Sequence, residues 1–235
     1  MKKHVQRKSL TITFYLIRIS NIKYILKNYR KFTLLIVLLI SVESIAAKTG
    51  YTRNIEMEKK ICIIPVGSID KHILYHTQKE LEKRFNVQVC IGKELEDPNY
   101  AYSKTRKQYR STRILKRIHN LKLSGYDRIL GIADVDLFVP ELTFVFGEAD
   151  IRKKVALISL TRLRQEFYSL PEDIALFNKR VIIEAVHELG HTYGLHHCTN
   201  RNCVMFFSNT LDDTDRKGPN LCDTCTKAIN NGKKL

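Results

Sequence analysis

From residue 61 onward, the pattern of hydrophobic and polar residues indicates two kinds of segment. Short, nearly continuous apolar runs predict buried strands, because a strand that is covered on both faces needs no polar side. Such runs occupy residues 61–67, 86–92, 142–149 and 155–160, and a further one starts at residue 128. Strands that alternate with helical segments are typical of a mixed α/β sheet domain.

Three segments between and after these runs carry apolar residues at helical spacing. Residues 68–85 begin with capping residues and then repeat apolar side chains every three or four positions. Residues 103–122 are strongly basic with one apolar side, which predicts a second helix. A third helix is expected from Pro171 to Gly194, because proline suits a first helical turn and glycine suits a helix end. The residues that follow are loop-like and rich in cysteine.

The first 56 residues differ in composition from the rest of the chain. They hold 11 of the 40 Lys and Arg residues and two acids, and thus contribute +9 of the formal net charge of +16. The apolar run at 32–42 has the length of a signal-peptide core and is too short for a standard membrane span. Three interpretations stay open: a secretory or anchoring segment, a folded extension, and an upstream stretch that is not translated.

The first strand pattern follows Met57 almost directly. We therefore divide the chain into an N-terminal extension, residues 1–56, and a folded domain, residues 57–235. Membrane association is expected only if residues 32–47 are translated and retained in the protein.

The domain itself is only moderately basic, since the remaining +7 is spread over residues 57–235. A basic surface can attract nucleic acid or acidic peptides. The basic segment at 103–122 has no aromatic-interleaved motif of the kind that binds nucleic acid. We therefore predict a solvated face there and no nucleic-acid partner.

The segment HELGHTYGLHHC, residues 187–198, predicts a metal centre. On a helix, His187 and His191 are one turn apart and can grip one zinc ion from the same side. Gly194 allows a sharp turn that can bring His197 back as a third nitrogen ligand, so that a fourth position stays open for water. Glu188 neighbours the first ligand and could accept a proton from the attacking water as general base.

This pattern predicts a zinc metallopeptidase that acts on peptide or protein substrates. The alternative is a non-catalytic zinc module that binds a partner. Glu188 separates the two interpretations, because a structural three-histidine site has no need of a glutamate beside its first ligand.

Cysteines in the C-terminal segment predict a second zinc ion. Their spacing suits two pairs of thiolate ligands on one closed tetrahedral site, and the four residues are Cys198, Cys203, Cys222 and Cys225. Two disulfides are the alternative, although a CxxC pair closes a very small loop. Cys62 and Cys90 lie on predicted strands and are expected to be buried core thiols. Thiolate sites suit a reducing compartment, so a cytoplasmic location is expected, with membrane association through the N-terminal segment as the alternative.

The run HELGHTYGLHHCTNRNCVM, followed by CDTC, resembles the archaemetzincins, a family of metzincin-type zinc metalloproteases. DVDLFVPELTFVFGEA and VALISLTRLR also resemble sequences of that family, and the resemblance extends over residues 60–227. It implies a metzincin-like α/β (α+β) fold with a twisted, mixed five-stranded sheet and a zinc-stapled C-terminal subdomain. It also implies an antiparallel edge strand, placed here at about 142–146, where an extended peptide can add as a further strand.

For the site, the resemblance implies two zinc ions per chain and gives each motif residue a role. Glu188 is the general base, and Met205 is the Met-turn residue beneath the catalytic zinc. The ligands of the catalytic zinc are His187, His191 and His197, and those of the structural zinc are Cys198, Cys203, Cys222 and Cys225.

Overall fold

The computed structural model describes residues 60–230, so the predictions for residues 1–56 lie outside it. Its strands are β1 (Lys60–Val66), β2 (Gln88–Ile91), β3 (Tyr102–Ser103), β4 (Gln108–Arg110), β5 (Arg128–Ala133), β6 (Leu137–Phe138), β7 (Gly147–Asp150) and β8 (Val155–Ser159). Its helices are α1 (Lys71–Phe85), α2 (Ser111–His119), α3 (Ile174–Thr192), α4 (Leu211–Arg216) and α5 (Asp223–Asn230). Among the helices of this range, none combines the length and the apolar character needed to cross a membrane.

The predicted mixed sheet of five strands is confirmed. Its order is β2-β1-β5-β8-β7, and a separate small sheet contains β3, β4 and β6. The first four strands of the large sheet run parallel, whereas β7 runs antiparallel to β8. A parallel connection needs a long crossover; α1 supplies it between β1 and β2, whereas β6 and β7 lie in the connection from β5 to β8.

Helices cover both faces of the large sheet, which explains the nearly continuous apolar runs. On β1, Ile61 and Ile63 face one hydrophobic cluster together with residues of α1 and α3. Cys62 and Ile64 point the opposite way, into a second cluster built with α2. Successive side chains of a strand alternate between faces, so β1 needs apolar residues at every position.

The predicted helix at 103–122 is wrong in its first half. Part of that segment forms β3 and β4, and α2 begins only at Ser111. Lys107 adopts a left-handed backbone with φ +55°, and its amide donates to the Ser103 carbonyl at 2.8 Å, which closes the turn between the two strands. Gln108 is buried and donates to the carbonyl of Thr143 at 2.9 Å. The contact between Gln108 and Thr143 joins segments that are far apart in the chain, and local periodicity does not reveal it.

The antiparallel edge strand is confirmed, but its predicted position at 142–146 is wrong. The ladder with β8 starts at Gly147, which is level with Ile158. The preceding residues belong to a loop, in which the amide of Val145 donates to the carbonyl of Leu137 at 3.0 Å. This bond joins Val145 to β6, and only the carbonyl of Phe146 reaches β8, where it accepts from the Ser159 amide at 2.8 Å.

Helix α3 carries the histidine motif through the protein interior. It begins after Asp173, whose carboxylate accepts a hydrogen bond from the Leu176 amide at 2.9 Å. Gly194 has a φ of +89°, so the turn that was predicted after this helix is present. The cysteine-rich segment packs against the same core as α3, through the buried residues Cys203, Val204, Met205, Cys225 and Ala228.

Candidate active site

The three histidines of the motif converge. His187 and His191 project from α3, and the turn at Gly194 returns His197 to them. The Nε2 atoms of His187 and His191 lie 3.2 Å apart, and one ring nitrogen of each of the three residues lies within 4.8 Å of the others. His196 is not part of this group and is exposed.

Backbone carbonyls orient two of the three imidazoles. Nδ1 of His187 lies 2.7 Å from the carbonyl oxygen of Val204, and Nδ1 of His191 lies 2.8 Å from that of Leu195. A carbonyl oxygen only accepts, so each Nδ1 carries the hydrogen and each Nε2 keeps a free lone pair. Nitrogen lone pairs presented in this way are the arrangement that a metal ion requires.

Burial keeps the three rings neutral. It lowers the pKa of His187 well below its usual value and lowers that of His191 to about 4. It also lowers the pKa of the more exposed His197. A neutral imidazole can bind a metal, whereas an imidazolium cannot. Three neutral nitrogens within reach of one point fit a catalytic zinc that keeps its fourth position open.

Glu188 lies beside this group without belonging to it. Its side chain is buried, and burial raises the pKa of its carboxyl group well above the usual range. Nearby Glu184 raises this pKa further, and Lys217 opposes the shift. A Cβ atom built on Gly147 would lie 2.6 Å from Cγ of Glu188, so the glutamate packs directly on the backbone of β7.

A cavity of about 380 Å³ opens over the histidines and Glu188. Residues 142–149, which include the start of β7, form one wall, and residues 207–209 form the other. Within residues 60–230, no strand pairs with the outer edge of β7. An extended peptide can therefore add along this edge and reach the histidines.

Met205 packs against α3 within the histidine motif, and its role as the Met-turn residue stays a prediction. It is fully buried, and a Cβ atom on Gly190 would lie 2.4 Å from its sulfur. Only glycine at position 190 leaves this space between α3 and the Met205 loop. The carbonyl of the preceding residue, Val204, is the one that orients His187.

The four cysteines of the C-terminal segment also converge. Their sulfur atoms all lie within 4.8 Å of one another, and the Sγ pairs Cys198–Cys222 and Cys203–Cys225 are 3.8 Å apart. A disulfide needs about 2.05 Å, so these thiols are not bonded to each other. Four sulfurs at about 2.3 Å from one zinc ion would lie about 3.8 Å apart in a tetrahedron. The cluster therefore fits a closed zinc site.

Hydrogen bonds favour anionic sulfur at one thiol of this cluster, Cys222, whereas burial raises the pKa of Cys203 and Cys225. Burial alone would raise the pKa of the Cys222 thiol, but hydrogen bonds from the amide of Cys225 and from the neighbouring thiols lower it to about 7. The amide of Asn200 also donates to Cys198, at 3.4 Å. Thiolates are the form that binds zinc.

The remaining predicted positions are mostly as expected. Cys62 is buried, and burial raises the pKa of its thiol to about 11, which suits an inert core residue. Cys90, which was expected to be buried, is partly exposed because β2 is an edge strand. Sequence reasoning missed Glu184, Gly147 and Lys217, which the structure places beside the site. Only Glu184 left a signal, since it occupies the same helix face as Glu188, four positions earlier.

Comparison with known proteins covers the same region. The family model described as Peptidase family M54 matches residues 68–231. Archaemetzincin of Methanocaldococcus jannaschii is 42% identical over 173 residues, which cover 74% of this chain and 94% of the relative. Archaemetzincin of Methanopyrus kandleri is 44% identical over 137 residues, which cover 58% of this chain and 74% of the relative.

The fold of this chain is also similar to those of solved structures. The crystal structure of archaemetzincin from Methanopyrus kandleri has a TM-score of 0.67 and 35% identity, and the match covers 77% of this chain and 98% of that one. Archaemetzincin from Archaeoglobus fulgidus, complexed with malonate, has a TM-score of 0.62 and 37% identity, with coverages of 72% and 98%. A zinc-dependent peptidase from Methanocorpusculum labreanum has a TM-score of 0.67 and 26% identity, with coverages of 72% and 99%.

Proposed function

The chain belongs to peptidase family M54, the archaemetzincins, and is a zinc metallopeptidase; from this premise we propose how its residues divide the work. His187, His191 and His197 hold the catalytic zinc, and Glu188 is the general base. The observation that carries this assignment is the convergence of three neutral ring nitrogens with a buried carboxylate beside them. A structural site would not need that carboxylate.

When bound, the zinc supplies Lewis acidity, which polarises the scissile carbonyl and makes water more acidic. The chain supplies the proton transfers. Glu188 accepts a proton from the attacking water and delivers it to the leaving amine. Burial raises the pKa of this carboxyl group, which makes the carboxylate a stronger base toward the attacking water.

The substrate is a peptide or protein segment that lies in extended form along the outer edge of β7. Backbone groups of β7 would hydrogen-bond the peptide and align its carbonyl with the histidines. Glu188 packs on Gly147 at the start of this strand. The same strand would therefore position both the base and the peptide.

The second zinc belongs to Cys198, Cys203, Cys222 and Cys225. The sulfur spacing and the free state of the thiols support it. His197 and Cys198 are neighbours in the chain, so one short segment serves both ions. A cytoplasmic location stays a prediction that rests on these thiolates.

We expect two zinc ions per chain by elemental analysis, in the full chain and in a chain that begins at Met57. All proposed ligands lie beyond residue 186, and the sheet begins at Lys60. One zinc ion together with a disulfide in the cysteine cluster, detected by mass spectrometry, would contradict the second site. A Met57 chain that is metal-free or insoluble, beside a well-behaved full chain, would contradict the domain boundary.

Gly147→Ala should lower kcat by about 100-fold while the zinc content stays unchanged, since displacement of a reacting group by about 1 Å can cost that much. The added methyl group would lie 2.6 Å from Cγ of Glu188 and 2.7 Å from the carbonyl oxygen of Leu157. Steady-state kinetics on a peptide library, with zinc analysis, measures both effects.

Gly131→Ala on β5 is the matched control for this substitution. Its methyl group would crowd Ile118, 2.4 Å away, without touching Glu188. It should cost stability by overpacking and leave kcat near wild type. Equal losses of kcat in both variants would show that general sheet damage, and not the position of Glu188, is responsible.

A further inference from the structure

A lysine is buried beside the histidine group. Lys217 has 1% of its surface exposed, and Glu184 has 3%. Lysine and glutamate are almost never buried so completely without a partner, and a buried ion pair often adds nothing to stability compared with apolar residues of similar shape. The fold alone therefore does not account for these two charges.

The contacts of Lys217 connect the loop below the histidines to α3. Its ammonium group donates to the carbonyl of Phe206 at 3.1 Å and lies 3.6 Å from Oε1 of Glu184. It also lies 3.4 Å from Nδ1 of His187, which already donates to the carbonyl of Val204. Lys217 thus touches the His187 ring without taking over the hydrogen bond that orients it.

A second ion pair joins the same two parts of the chain one helical turn away. Arg180 of α3 donates to the carboxylate of Asp215 at 2.7 Å and 2.6 Å and to the carbonyl of Leu163 at 2.9 Å. This pair already fastens α4 to α3. Lys217 and Glu184 form a second contact between these segments, beside the histidines. Phe206, which Lys217 contacts, and Val204, which His187 contacts, belong to the same short loop.

We propose that the Lys217–Glu184 pair positions the zinc ligand His187. Lys217 holds the Phe206 carbonyl against α3, and the Val204 carbonyl two residues earlier then stays where Nδ1 of His187 needs it. Both residues are positioning residues, since neither is a member of the ligand group. The inference rests on the proposed zinc site at the three histidines.

The test is the double variant Glu184→Gln/Lys217→Met, which keeps both shapes and the net charge. We expect the affinity of the histidine site for zinc to fall about 10- to 100-fold, as is typical when partners behind a metal ligand are lost. The melting temperature should change little, because both members of the pair become neutral together. Zinc retained per chain is measured over a series of buffered free-zinc concentrations, with the cysteine site of the same molecule as reference.

Arg180→Met/Asp215→Asn is the matched control, since it neutralises the other pair between α3 and α4. By the same reasoning it should change the melting temperature little, and it should leave the zinc affinity at wild type. Equal zinc affinity in the wild-type protein and the Glu184/Lys217 variant would overturn the inference, and so would a variant that fails to fold while the control folds. Absence of histidine-site zinc in the wild type would instead contradict the proposed function.

Discussion

Glu188→Gln should reduce peptide hydrolysis by about 10²- to 10⁴-fold, the usual contribution of a general base. Glutamine has the same shape as glutamate but cannot accept the proton of the attacking water. The ring nitrogens of the three histidines converge without Glu188, so both zinc ions should remain bound. Turnover of a fluorogenic peptide library, measured with the zinc content of the same sample, tests the two expectations together.

Glu172→Gln is the control for the loss of one negative charge. Glu172 is exposed, precedes α3 and does not line the cavity over the histidines. It should leave turnover unchanged. If Glu188→Gln loses zinc in proportion to activity, the glutamate supports metal binding and is not the base. If turnover survives, another group accepts the proton.

Cys203→Ser should remove one zinc ion, lower the melting temperature markedly and abolish hydrolysis. Structural zinc contributes about 10–16 kcal/mol to the folding of zinc-finger peptides, as much as the total stability of a typical domain. Cys203 immediately precedes Val204, whose carbonyl orients His187. Loss of the cysteine site should therefore also disturb the catalytic ligands.

Cys90→Ser provides the matched substitution outside the cluster. Cys90 lies on the edge strand β2 and is partly exposed, so its loss should cost little. Thermal melting, zinc analysis and hydrolysis are compared for the two variants. A Cys203→Ser protein that keeps two zinc ions and full activity would contradict the four-thiolate site.

Elements with one uniform pattern of apolar residues along their length could be predicted from the sequence. The central strands β1, β5 and β8 are apolar at nearly every position because helices cover both faces of the sheet there. The histidine spacing predicted the site because one helical turn, followed by a left-handed glycine, fixes where His187, His191 and His197 meet.

Contacts between distant segments explain what could not be predicted. The hairpin of β3 and β4 depends on bonds from Gln108 to a loop more than thirty residues away. Lys217 is the clearest case, because nothing near it in the sequence indicates burial. Its environment arises only when α4 has docked against α3, because Glu184 makes no other ion pair within residues 60–230.

The free edge of β7 has a consequence for self-association. An open strand edge attracts any extended chain, including a second copy of the same protein, and long apolar edges lead to aggregation. β7 has only four residues, and two of them, Glu148 and Asp150, are acids. Two copies that met edge to edge would gain only a very short ladder with few apolar contacts, so this edge can stay open to peptides and still discourage polymerisation.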